Sequence, residues 1–141
     1  MFRTRHDIDI DAPPSRVWAI HEDLARCPEW TPTVTAVELI DAPPLRVGLR
    51  ARLTQPGRGP AVWQVTRVSH QRSFTWQTRA GGMTVAATHE LEPRAEGARL
   101  TLTVQPSGLG ALPFGWLAAR ASRTNRPLEA AGLQRRAEAA S

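Results

Sequence analysis

From Val34 to Val104 the chain alternates apolar and polar residues in short runs, separated by turn residues and by nothing that reads as a helix. This excludes an all-helical fold. It also excludes a parallel βαβ sheet, whose strands need crossovers of a dozen or more residues. The runs cover residues 34–40, 45–55, 62–68 and 74–78. A further run carries Met83, Val85, Ala87, His89 and Leu91 on one face, and the last passes through Leu100, Leu102 and Val104. In 45–55 the pattern places Leu45, Val47, Leu49, Ala51 and Leu53 inward and Arg46, Arg50 and Arg52 outward. Asp41-Ala42-Pro43-Pro44, Pro56-Gly57-Arg58-Gly59-Pro60, Gly81-Gly82 and Glu96-Gly97 are the turns between them.

The flanks complete the pattern. Residues 2–11 alternate as well, with Ile8 and Ile10 on one face and Asp7, Asp9 and Asp11 on the other, until Ala12-Pro13-Pro14 ends the strand. Residues 15–20 read as a short helix with prolines at its start, and 24–30 as a second short helical turn. After Pro106-Ser107-Gly108 the composition turns to Ala, Leu, Glu and Arg. Residues 109–140 therefore read as one long helix with Leu112, Trp116, Leu117, Leu128 and Leu133 among polar positions. Pro127 removes a backbone donor inside it, which predicts a kink or break. The expected fold is α+β. A curved antiparallel sheet of six to seven strands wraps a long C-terminal helix, with two short helices after the first strand. One helix cannot fill the concavity of such a sheet, so a cavity between the layers is expected.

The 141 residues suit a single domain, 1–141. No apolar run approaches the roughly 20 residues needed to span a bilayer. The charged N-terminus is unlike a signal peptide, so a cytoplasmic protein is expected. A lone Cys27 leaves no internal disulfide. The net charge of +5 invites a nucleic-acid reading, but every basic residue is arginine and they are spread along the chain. The densest group, Arg120, Arg123, Arg126, Arg135 and Arg136, lies on the expected helix. Nucleic acid is therefore disfavoured as a partner, and a monomer or homodimer is expected.

His89 shares the parity of Met83, Val85, Ala87 and Leu91, so it faces the interior. There an imidazole can act as general acid or base or donate to a ligand carbonyl. It can equally be a core histidine satisfied by a backbone carbonyl. Trp63 and Trp76 fall on adjacent strands and Trp30 falls near the expected mouth, an aromatic wall suited to flat or apolar ligands. Leu53, Met83, Val85 and Trp116 complete the expected lining. Arg67 faces inward if Trp63 and Val65 do, and would then hold a carboxylate or enolate oxygen. A bulge would instead turn it to solvent. The four histidines are isolated along the chain, with no His-x-x-His or His-Glu-x-x-His, so neither metal nor cofactor is expected. No Gly-rich phosphate loop or Gly-x-Ser-x-Gly elbow occurs either.

The order strand, short helices, six strands, long helix resembles the START and birch-pollen-allergen superfamily (SRPBCC), and within it the polyketide cyclase/dehydrase-like branch of small bacterial proteins. Ile8-Asp9-Ile10-Asp11-Ala12-Pro13-Pro14-Ser15-Arg16-Val17-Trp18 is similar to the family's opening strand and its entry to the first helix. Asp23 through Trp30, Trp63-Gln64-Val65-Thr66, Ser73-Phe74-Thr75-Trp76 and His89-Glu90-Leu91 continue the likeness over nearly the whole chain. The resemblance implies a helix-grip fold and a role among carriers and aromatic polyketide cyclases. The chain contains no tyrosine, so a phenolic proton donor is excluded. Two functions follow as expectations. One is binding of an apolar, ring-containing small molecule, lipid- or polyketide-like, between sheet and helix. The other is a cyclase or dehydratase that uses His89 as acid and base.

Overall fold

The computed structural model describes residues 2–139. Met1, Ala140 and Ser141, which the single-domain reading and the expected helix end include, lie outside the described residues.

Seven strands form one antiparallel sheet: β1 (Thr4–Ile10), β2 (Ala36–Leu39), β3 (Arg50–Thr54), β4 (Ala61–Ser69), β5 (Ser73–Ala80), β6 (Met83–Arg94) and β7 (Gly97–Ser107). Their order is β1-β7-β6-β5-β4-β3-β2, so β2 to β7 pair with their neighbours in sequence and the N-terminal strand closes against the last. Thr4 pairs with Val104 and Ile10 with Ala98. That register keeps Thr4 and Ile10 on the buried face and Arg5, Asp7 and Asp9 outside, as the period of two requires.

Between β1 and β2 lie α1 (Pro14–Glu22) and a 3-10 helix, Leu24–Glu29. Pro14 opens α1 where a missing N–H costs nothing, and Val17, Trp18 and His21 turn to the core at helical spacing. The long helix α2 (Ala111–Ala139) runs unbroken through Pro127. It packs on β1, β7, β6 and α1, and Arg136 donates to Glu29 at the end of the 3-10 helix.

Its buried positions are Gly115, Ala119, Ser122, Glu129, Ala130, Gly132, Leu133 and Ala137. Of the large apolar residues read along it, Leu133 is buried, Trp116, Leu117 and Leu128 are about half exposed, and the side chain of Leu112 lies outside the described ones. The reason is close approach. A Cβ on Gly115 would meet the Phe2 ring, and one on Gly132 would meet the Trp30 carbonyl. These glycines let the helix backbone sit close against the segment before β1 and the residue after the 3-10 helix.

The strand expected over 45–55 begins only at Arg50. Gly48 adopts φ +95°, its N–H donates to the Val65 carbonyl, and Leu49 N–H turns back to Arg46. The alternation before Arg50 is therefore a turn, and Val47, expected inside, is 61% exposed. No helix of the described residues is long and apolar enough to cross a membrane.

Candidate functional site

Because α2 covers β1, β7 and β6, the faces of β3, β4 and β5 that curve toward it are left partly uncovered. An open cavity of about 1460 Å³ occupies that space. Trp63, Met83, Val85 and Val104 contribute from the sheet, and Phe114, Leu117, Ala118 and Ala121 from α2. Polar groups at its rim include Arg58, Arg79, Arg120 and Asn125.

Behind it lies a much smaller chamber of about 30 Å³, lined among others by His21, Cys27, Trp30, Leu53, Trp76, His89 and Glu129. Gln55, Trp63 and Arg126 border both spaces.

The chamber's walls are aromatic. Phe74 stacks on His89 with ring centroids 4.3 Å apart and meets His21 edge-on at 5.1 Å. His21 and His89 stand nearly perpendicular at 4.4 Å, and Trp63 lies against Trp76 at 5.5 Å. Parity explains the strand contributions. Trp63, Trp76, Ala87 and His89 all occupy inward positions of β4, β5 and β6, and Phe74 pairs with His89 in the ladder. From α2 come Arg126 and Glu129, one helical turn apart, with Arg126 Nη1 3.2 Å from Glu129 Oε1. The other carboxylate oxygen, Oε2, lies 3.3 Å from His89 Nε2 without hydrogen-bond geometry.

Among the described residues, seven buried side-chain polar atoms have no hydrogen-bond partner. Six of them belong to residues lining this chamber: His21 Nδ1, Trp30 Nε1, Trp63 Nε1, His89 Nδ1, Arg126 Nε and Glu129 Oε2. An unpaired buried polar group costs about 1–3 kcal/mol, so their concentration here is a large local penalty. Such groups are kept together where a small polar species completes their bonding.

Burial holds His21 well below the ordinary imidazole range, and repulsion from His89 adds to it, so His21 is neutral. Burial would raise the Glu129 carboxyl, but the Arg126 guanidinium and then His89 outweigh it and hold it down at about 2. Burial also pushes the Cys27 thiol up, so no thiolate is presented.

Of the residues expected at the site, Trp30, Leu53, Trp63, Trp76 and His89 come together around the chamber, and Trp63, Met83 and Val85 line the outer cavity. Two do not belong. The register of β4 on β5 shifts between Val65 and Arg67, and this bulge turns Arg67 to solvent. Trp116 is 49% exposed and lines neither space, its indole N–H donating to the Pro113 carbonyl. The histidines that are isolated along the chain are not isolated in space, since α1 delivers His21 to His89. His21, Arg126 and Glu129 were not anticipated. His21 carries a readable signal, since it shares the core face of α1 with Val17 and Trp18. Glu129 among alanines on a long helix carries none.

The family model described as polyketide cyclase/dehydrase and lipid transport matches residues 1–140. A search of curated proteins finds no match. Among solved structures, a protein of Thermus thermophilus superposes with a TM-score of 0.78 at 20% identity, covering 99% of each chain. A START superfamily protein from Mycobacterium smegmatis gives 0.78 at 13% identity, again over 99% of both. An aromatase/cyclase from Streptomyces gives 0.75 at 16% identity, over 96% of this chain and 93% of that one. At these identities the likeness is one of fold, and the fold is the helix grip. With residues 1–140 matched by one family model, the chain belongs to the polyketide cyclase/dehydrase and lipid transport family.

Proposed function

We propose that this protein binds an apolar, ring-containing small molecule, lipid- or polyketide-like, in the outer cavity between sheet and α2. The observation that carries this reading is the 1460 Å³ cavity, which exists because α2 covers only part of the sheet. Trp63, Val85, Val104, Phe114 and Leu117 offer apolar and aromatic surface for a ring system. At the inner end Trp63 Nε1 and Arg126 Nε are unpartnered donors, and they suit a carbonyl or carboxylate oxygen of the ligand.

One observation favours the second reading, a cyclase or dehydratase with His89 as acid and base. Glu129 Oε2 stands 3.3 Å from His89 Nε2, a carboxylate close enough to charge-stabilise a protonated imidazole. Against it, His89 lines the 30 Å³ chamber and not the outer cavity. A volume that holds about one or two waters cannot admit a ring. Binding is therefore the better-supported reading.

The test is titration with fatty acids, sterols, flavonoids and aromatic polyketides, read by intrinsic tryptophan fluorescence, since Trp63 borders the cavity. Ala121→Phe fills the space from the helix side and is expected to weaken binding at least about tenfold, the equivalent of about 1.4 kcal/mol. His89→Ala is expected to leave affinity within about twofold. Silence across the panel sinks the binding reading. Turnover of a polyketide chain that His89→Ala abolishes would replace it with the enzymatic one.

A further inference from the structure

The outer cavity is accounted for by ligand binding, but the inner chamber is not. It is too small for a ring, yet six unpartnered buried polar atoms belong to its lining. We propose that it is a binding site for one divalent first-row transition metal ion, held by His21, His89 and Glu129. The proposal does not depend on which molecule the outer cavity takes.

The donor set comes first. One nitrogen from each imidazole and one carboxylate oxygen lie within 4.8 Å of one another, and all three residues are buried. Two imidazoles with a single carboxylate suit zinc and ferrous iron. The internal distance comes second. His89 Nε2 to Glu129 Oε2 is 3.3 Å and lacks hydrogen-bond geometry, whereas a charge-assisted bond would close to about 2.7–2.9 Å. Two ligands bound to one ion at about 2.0–2.1 Å in tetrahedral geometry stand about 3.3–3.4 Å apart. The separation is that of neighbouring ligands. The wider separations in the trio exceed this edge, so the third ligand closes in by a side-chain shift as the ion binds.

The surroundings fit. Arg126 occupies Glu129 Oε1 at 3.2 Å and leaves Oε2 for the ion, the arrangement in which an outer partner fixes a ligating carboxylate. Its charge works against a cation, so a hydroxide completes the coordination. Trp30, which lines the chamber only, supplies a buried, unpartnered N–H donor for that oxygen. The chamber's 30 Å³ holds one or two waters at most, which suits an ion's own bound water.

Untagged protein, stripped with chelator and dialysed, is titrated with Co²⁺ and followed by its visible absorption and by calorimetry. The expected result is one Co²⁺ per chain with the intense bands of four- or five-coordinate cobalt, displaced by Zn²⁺. His21→Ala and Glu129→Gln are each expected to lose about 100-fold or more in affinity. His6→Ala and His70→Ala, outside the trio, bind as the unaltered chain does. Glu129→Gln conserves volume and carries the test if His21→Ala fails to fold. Ala121→Phe, which blocks the outer cavity, leaves Co²⁺ uptake unchanged, so failure of this site and failure of ligand binding are told apart. Uptake no tighter than millimolar by the unaltered chain overturns the proposal. So does equal affinity in Glu129→Gln.

Discussion

Gly132 and Trp30 lie near opposite ends of the chain, yet a Cβ on Gly132 would run into the Trp30 carbonyl oxygen. The atom in the way is backbone and cannot rotate aside. Gly132→Ala would gain up to about 1 kcal/mol of helix propensity. Against that stands a clash that must lift α2 or move the loop carrying Trp30, and overpacking of this kind costs about 1–3 kcal/mol. The clash is expected to win by about 1–2 kcal/mol, lowering the urea midpoint and shifting the emission of Trp30 as its wall opens. An unchanged midpoint would mean that α2 is not seated against Trp30. This contact also shows where single residues are unreadable from sequence. His89 was legible because strand parity fixes its side. His21 was half legible, as the third member of a helical stripe. Glu129 and Arg126 were opaque, because nothing local distinguishes a solvated pair on a helix from one buried against two histidines.

Pro127 exposes the same problem at the scale of an element. A proline within a helix removes one hydrogen bond and crowds the carbonyl four residues back, which predicts a kink or break, yet α2 remains helical on both sides of it. The tertiary contacts of Ala130, Leu133 and Ala137, all fully buried, hold the C-terminal half in place against that cost. Pro127 itself faces solvent, so Pro127→Ala loses little packing and is expected to stabilise the protein by about 1–3 kcal/mol in a thermal melt. Loss of stability would instead show that a bend at Pro127 is what aims Arg126 and Glu129 at the chamber. The strands were the most legible elements, because the period of two reports directly which face is buried. Where legibility failed, the chain kept its alternation through a turn. Leu45 and Val47 read as strand, but Gly48 at φ +95° turns the chain there, and only Leu49 keeps its expected buried place. The long helix failed in the opposite way. Apart from Glu129 and Leu133 its inner stripe is Gly, Ala and Ser, which a search for large apolar residues passes over.

Across the whole molecule, the partial cover of the sheet by one helix makes the cavity, and the element order alone anticipates that. The outer surface is held by charge pairs that the +5 net charge conceals. Asp9 accepts from both Arg94 and Arg99, tying β1 to the β6–β7 hairpin, and Asp41 takes Arg50 through both guanidinium and backbone N–H. Hydrogen bonds from Arg99 and Arg50 hold Asp9 and Asp41 below the ordinary carboxylate range, and one from Arg5 does so for Asp7. A carboxylate depressed in the folded state contributes stability that is present above its unfolded pKa and is lost as pH falls through the folded one. Stability should therefore decline as pH drops from about 5 to about 3, around and below the ordinary aspartate value of about 3.9. These pairs are exposed, so each contributes modestly. The larger consequence of acid is that most of the 13 carboxylates lose their charge while the 18 arginines keep theirs and repel one another. Screening by about 1 M salt, with a Debye length near 3 Å, relieves that repulsion. Salt is then expected to raise the thermal midpoint at pH 3 by clearly more than at pH 7, where it weakens the ion pairs as it screens the net charge. Equal salt effects at the two pH values would place the acid sensitivity elsewhere than in these surface carboxylates.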